Sequence, residues 1–136
     1  MEAKTITLDR TGQAPLRFEG ELLAESDGRI AGGRDHNRWH SVRIFRTAGG
    51  AYVVAVGYRT QWQGELDHDW VEAREAPADL ADALRYYDPE GHVLGYPPGE
   101  QYAEKQARLR ADLRTRYEHQ VSAILGSHPE FAEVIT

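Results

Sequence analysis

Hydrophobic and polar residues alternate most clearly in the middle of the chain, where they predict a β-hairpin. The segment RWHSVRIFRTAGGAYVVAVGYRTQW, from Arg38 to Trp62, has a Gly-Gly turn near its centre. A three-residue loop at 48–50 places Val42 opposite Val56, whereas a two-residue loop leaves neither face cleanly apolar, so we predict the first register. Its other pairs are Ile44 with Val54, Arg46 with Tyr52 and His40 with Tyr58.

This register gives the hairpin two faces of different character. One face is apolar and predicts a contact with the core; it consists of Val42, Ile44, Tyr52, Val54, Val56 and Tyr58. The other face is mixed and contains a trough of small residues, so that a helix, a ligand or another chain would fit on it. This mixed face consists of Trp39, Arg43, Phe45, Val53, Ala55, Gly57 and Arg59.

Shorter alternations predict three further strands. Lys4–Leu8 and Leu16–Leu22 predict a first hairpin, half buried, with the leucines and Phe18 of its second strand pointing to one side. Gly20 within that alternation indicates a bulge or a close backbone neighbour. Asp69–Arg74 is the fifth predicted strand.

Helical periodicity follows the strands. Pro77 suits the first position of a short helix, which Asp88-Pro89 ends. Apolar residues then recur at about 100° per residue from Glu100 to Leu125, and Gly126 closes this longer helix. The sequence therefore predicts an α+β fold: an antiparallel sheet of about five strands, made of two hairpins and one strand, packed against one short and one long C-terminal helix.

Length and the least regular segment predict the domain organisation. A chain of 136 residues is long enough for one hydrophobic core, so we predict a single domain over 1–136. Residues 25–38, ESDGRIAGGRDHNR, have no periodicity and contain three glycines. A connection of this length and composition predicts a mobile loop, which a partner would order.

Composition narrows the classes of function. No apolar run approaches the roughly 18 residues of a membrane span, and the acidic N-terminus is unlike a signal peptide, so we expect a cytoplasmic protein without membrane contact. The absence of cysteine excludes disulfides and thiolate sites. No catalytic or phosphate-binding motif is present. We therefore predict no catalytic residue, cofactor or metal, and expect a binding protein rather than an enzyme.

Charge is distributed unevenly along the chain, whose net charge is −6. Residues 29–59 contain six arginines and one acid, whereas residues 65–90 contain nine acids and two arginines. The two blocks either neutralise each other in the fold or form one basic and one acidic face. The excess of fourteen arginines over two lysines is as typical of a GC-rich, bacterial genome as of a need for planar guanidinium groups.

Arginines and tryptophans near the open end of the hairpin are the candidate binding residues. The partner-binding set is Arg38, Trp39, Arg43, Arg59 and Trp62. Arginines that neutralise phosphates beside aromatic rings that stack on bases are typical of a nucleic-acid platform. The candidates for nucleic-acid or anion contact are Arg29, Arg34, Arg110 and Arg114. The alternative is an ordinary sheet in which the arginines pair with the acidic block and the tryptophans are core.

Arg110 and Arg114 lie one turn apart on the long helix, on or beside its apolar stripe. They would hold a carboxylate or phosphate, cover apolar surface with their aliphatic stems, or form a buried ion pair with an acid of the sheet. Histidine and aspartate at 35–40 and 67–69 resemble a metal cluster. However, His36 and His40 enter a strand, where residues four apart do not converge on one ion.

The leading hypothesis is a small non-enzymatic accessory protein that binds a macromolecule. A protein partner, or a second copy of the chain, is favoured over nucleic acid because no domain-wide basic excess is present. Contact would occur through the mixed face or a sheet edge, since neither lysine nor proline protects the edge strands. The alternatives are a nucleic-acid-binding subunit of a larger nucleoprotein complex and a metal-dependent hydrolase with a His/Asp site.

Overall fold

The computed structural model describes residues 3–29 and 36–132, and it confirms the predicted α+β class. The strands are Lys4–Arg10 (β1), Gln13–Asp27 (β2), Arg38–Thr47 (β3), Tyr52–Thr60 (β4) and His68–Arg74 (β5). The helices are Pro77–Tyr86 (α1) and Glu100–Gly126 (α2), and a 3-10 turn follows at Pro129–Phe131. Across the described ranges, no helix combines the length and apolar character needed to cross a membrane.

The strands pair antiparallel in chain order and form one five-stranded sheet. The β3–β4 hairpin has the predicted register, with Val42 opposite Val56. Its three-residue loop is closed by the N–H of Thr47, which donates to the carbonyl of Ala51 at 2.9 Å. Gly50 in this loop has a φ of 91°, a conformation that glycine adopts without steric cost.

β2 pairs with two neighbours along different halves of its length. Its first half pairs with β1, its second half pairs with β3, and the register with β3 shifts between Leu22 and Ala24. Gly20 lies at the junction, where a Cβ atom would overlap the carbonyl oxygen of Arg46, so the predicted close backbone neighbour is confirmed. Leu22 lies before the shift, opposite Phe45 and on the same side as Leu16 and Phe18, and it is exposed, whereas the extra residue Leu23 packs against the main core.

The connection between β2 and β3 begins later than the sequence predicts, because β2 continues to Asp27. The N–H of Gly28 then donates to the carbonyl of His40 at 2.9 Å, which ties the end of β2 to β3. Residues 30–35, which include Arg34 and Asp35, lie outside the described residues. The mobility of this loop stays a prediction.

The sheet is curled, and both of its faces are covered. The apolar face of the β3–β4 hairpin packs against both helices. On the other side, Leu8 of β1 packs with Phe45, Val53 and Ala55 in a second core. The N-terminal hairpin therefore covers part of the mixed face that the sequence left open to several occupants. Buried residues of the main core include Val42, Ile44, Tyr52, Val54, Val56, Leu80, Leu84, Tyr117, Val121 and Ile124.

Candidate functional site

Glu65 joins three parts of the chain at the open end of the central hairpin. It lies in the β4–β5 loop, and its side chain is 1% exposed. Arg38 donates to this carboxylate from Nη2 at 2.6 Å and from Nε at 2.9 and 3.0 Å. The Tyr58 hydroxyl donates to it at 2.6 Å, and the N–H of Leu94 at 3.3 Å. One carboxylate thus connects β3, β4 and the α1–α2 loop.

These contacts fix the charge of Glu65. Burial by itself raises the pKa of Glu65, but hydrogen bonds from Arg38, Tyr58 and Thr60, together with the charge of Arg38, lower it from 4.5 to about 2. Burial, and then the bond to Glu65, raises the pKa of the Tyr58 phenol. The carboxylate therefore stays ionised at neutral pH and is a weak base. Its contacts anchor the two loops to each other and to the hairpin.

Four large apolar side chains remain exposed on the two loops that Glu65 connects. Trp62 and Leu66 of the β4–β5 loop are 50% and 83% exposed, and Leu94 and Tyr96 of the α1–α2 loop are 64% and 43% exposed. The guanidinium carbon of Arg38 lies 4.8 Å from the centroid of the Trp62 ring. We call Trp62, Leu66, Leu94 and Tyr96 the Trp62 surface. It contains one predicted partner-binding residue, Trp62, and a second, the buried Arg38, lies against the Trp62 ring.

Arg110 and Arg114 hold the α1–α2 loop from the side of α2. Arg110 donates to the carbonyl oxygens of Glu90 at 3.0 Å and Val93 at 3.3 Å. Arg114 pairs with the carboxylates of Glu90 and, at 3.3 Å, Asp88. Both guanidinium groups are therefore engaged within the chain. Arg114 thus forms an ion pair, but its side chain is 43% exposed and its acids belong to a loop rather than to the sheet, whereas Arg110 binds backbone carbonyls.

Arg59 fills the trough of small residues that the sequence placed on the mixed face. Its Nη2 donates to Asp69 at 2.6 Å, and its guanidinium lies so close to Gly57 that a Cβ atom there would be 2.8 Å away. Together with the pair of Arg38 and Glu65, this ion pair shows the basic and acidic blocks partly neutralising each other. That was one of the two predicted outcomes.

The two remaining predicted arginines that the structure describes, Arg29 and Arg43, lie against aromatic rings. Arg29 is 5.0 Å from the ring centroid of Trp39, and Arg43 is 5.6 Å from that of Phe45. Trp39 is half-buried, in contrast to the exposed Trp62. The five predicted partner-binding residues therefore divide between two places: Arg38 and Trp62 at the Trp62 surface, and Trp39, Arg43 and Arg59 on the mixed face.

A buried histidine, His40, and a half-buried stacked pair, His68 and His92, are the features that sequence reasoning missed. His40 is buried among the rings of Tyr58, Tyr87 and Tyr117, and burial, followed by the charges of Arg116 and His92, lowers its pKa to about 3. His92, isolated in the sequence, stacks on His68 with ring centroids 3.8 Å apart. The burial of His40 could have been predicted, because the predicted register pairs His40 with Tyr58 and so places it on the apolar face of the hairpin.

The structure also bears on the predicted His/Asp metal site. Within residues 3–29 and 36–132, no three His, Asp or Glu side chains converge as a metal ion would require. His40 faces the core, and Asp35 lies outside the described residues.

No protein-family model, curated protein or solved structure matches the chain. The fold defines an α+β protein in which a curled antiparallel sheet packs on two helices.

Proposed function

We propose that this chain is a small non-enzymatic protein that binds another protein through the Trp62 surface. One observation carries the proposal: four large apolar side chains stay in water on two loops that a buried carboxylate connects. Grouped apolar exposure of this kind is typical of interaction sites, and tryptophan, tyrosine and arginine are enriched where binding energy concentrates. The Glu65 anchor supports the proposal further, since ordered loops lose less conformational entropy on binding.

Nucleic-acid binding is the competing proposal. The pairs Arg29–Trp39 and Arg43–Phe45 support it, because they place guanidinium groups beside aromatic rings. The carboxylate contacts of Arg38 and Arg59 favour protein instead, since a paired guanidinium must lose its carboxylate before it neutralises a phosphate. We expect no complex with DNA or RNA in a gel shift at low salt, and a salt-sensitive complex would favour the competing proposal.

Photo-crosslinking tests the Trp62 surface in the native host. A photoreactive amino acid at Leu66, an exposed position, should give a discrete crosslinked product with one protein. Leu94→Ser in the same chain should lower its yield about tenfold, because it removes an exposed apolar contact. Leu22→Ser is the matched control, since Leu22 is an exposed leucine on β2 outside the surface, and it should leave the yield unchanged.

The outcomes separate the candidates for the partner. A crosslink to a second copy of the chain identifies a homodimer, and a crosslink to nucleic acid supports the competing proposal. No crosslink, or equal losses from Leu94→Ser and Leu22→Ser, would overturn the assignment of the Trp62 surface.

A further inference from the structure

A groove of about 440 Å³ lies between the edge of β5 and helix α1. Its β5 wall is Trp70, Glu72 and Arg74, and its α1 wall is Asp79, Asp82, Ala83 and Tyr86. Tyr86 is 90% exposed, the largest exposed fraction among the bulky apolar side chains of the described residues. None of these residues belongs to the Trp62 surface.

β5, which lines this groove, is the last strand of the described sheet. The start of its outer edge is occupied: β1 contacts β5, and the N–H and carbonyl of Asp69 point away from β4 and bond to the side chain and backbone N–H of Thr11, at 2.8 and 2.9 Å. Alternate residues of a strand share this direction, so the backbone groups of Val71 and Ala73 also point outward. Arg74 donates to the Ala73 carbonyl at 2.9 Å. The N–H and carbonyl of Val71 and the N–H of Ala73 form no hydrogen bond with any residue that the structure describes.

The groove is negatively charged and partly aromatic. Glu72 pairs with Arg74 at 2.6 Å. Asp79 and Asp82 form no ion pair with any residue that the structure describes, and with Tyr86 they lie on one face of α1 because they are three to seven positions apart. A ligand with a positively charged side chain at this position therefore complements the groove better than one with a neutral or negative side chain.

We propose that this groove binds an extended, basic segment of a protein partner, which adds as a strand to the edge of β5. Side chains of an added strand alternate between the two faces of the sheet, so every second one lies beside Trp70 and α1. A lysine or arginine at such a position meets the carboxylates of Asp79 and Asp82 and the ring of Tyr86. The inference stands apart from the Trp62 surface, because it rests on other residues.

Fluorescence anisotropy with two labelled peptides and the full chain tests the charge preference. In one peptide lysine alternates with valine, and in the other glutamate takes each lysine position. The lysine peptide should bind, and raising the ionic strength to about 0.5 M should weaken it. Asp82→Asn and Tyr86→Ala should each raise its dissociation constant about fivefold. Both residues are exposed, and Glu104→Gln, an exposed helical acid outside the groove, is the control that should change nothing.

Amide hydrogen exchange tests strand addition itself. Binding of the lysine peptide should slow exchange at the amides of Val71 and Ala73, because both become hydrogen-bonded. The proposal is overturned if the lysine peptide does not bind, if the glutamate peptide binds equally well, if the groove variants leave its affinity unchanged, or if neither amide is protected. Leu66→Ser should not alter peptide affinity, so failure of this inference and failure of the Trp62 surface are distinguishable.

Discussion

Replacing Glu65 by glutamine should destabilise the protein strongly, although the change removes one charge and almost no volume. Glutamine still accepts a hydrogen bond from Arg38 or Tyr58, but it leaves the buried Arg38 guanidinium without its counter-charge. The lowering of the pKa of Glu65 from 4.5 to about 2 corresponds to about 3 kcal/mol of stability at 1.36 kcal/mol per unit. Breaking one partner of a buried ion pair typically costs about 3–5 kcal/mol, which is the same range.

The pH dependence carries the sharper test. Because the folded-state pKa is lowered, the stabilisation by Glu65 is complete above the unfolded value of 4.5 and is lost as the pH falls toward 2. Urea unfolding followed by tryptophan fluorescence should therefore give a difference between wild type and Glu65→Gln of about 3 kcal/mol at pH 7. That difference should shrink by about 1 kcal/mol at pH 4. Other titrating groups are common to both chains and cancel from the comparison.

A matched variant isolates burial as the cause. Glu104→Gln makes the same chemical change in an exposed pair with Arg108 on α2, at i and i+4, where about 0.3–0.5 kcal/mol is expected. If Glu65→Gln costs no more than Glu104→Gln at pH 7, or if its cost does not vary with pH, Glu65 is not the anchor of the two loops. The Trp62 surface would then lose its structural support.

Three further predictions concern the buried His40, the close backbone contact at Gly20 and the α1–α2 loop. The unfolded chain protonates His40 below pH 6.5, whereas the folded chain does so only near pH 3. The free energy of unfolding of the wild type should therefore fall by about 2 kcal/mol between pH 6.5 and 5. Urea titrations of His40→Phe should not show that fall. Gly20→Ala should lower the free energy of unfolding by about 2 kcal/mol in thermal or urea unfolding, because the new Cβ atom would overlap the backbone of Arg46. Gly49→Ala in the open hairpin loop is the control and should cost less than 1 kcal/mol. Equal costs would contradict the close approach of β3 to Gly20. Arg110→Gln should speed hydrogen exchange at the amide of Val93, because it removes the hydrogen bonds that hold the α1–α2 loop to α2. An unchanged exchange rate would show that another contact holds the α1–α2 loop.

The elements of this fold are local properties and were predictable from the sequence. The register of the β3–β4 hairpin follows from a period of two and one glycine-containing loop, because a slip by one residue would move every apolar side chain to the opposite face. The bounds of α1 and α2 follow from proline, glycine and apolar periodicity. The packing of Leu23 against the main core was not predicted, because one extra residue reverses the alternation after Leu22, and the sequence marks such a shift only through the nearby Gly20.

The site was predictable only in part. Arg38 and Trp62 were identified from the distribution of arginine and tryptophan, yet the pairing of Arg38 with Glu65 joins residues 27 positions apart. Leu66, Leu94 and Tyr96 carry no motif, and exposed leucines look the same in a sequence as buried ones. Their exposure on two connected loops became visible only in the tertiary structure.

The sequence by itself therefore determined which segments are strands and helices, how the central strands pair, and which hairpin face is core. These depend on side-chain periodicity and on the backbone freedom of single residues, which act over a few positions. Tertiary structure alone decided that the N-terminal hairpin covers part of the mixed face and that Arg38 and Arg59 pair with acids of the acidic block. It also decided that Trp62, Leu66, Leu94 and Tyr96 lie exposed on two loops that Glu65 connects. Those outcomes depend on which distant segments come into contact, because a buried charge costs free energy unless a partner from elsewhere in the chain compensates it.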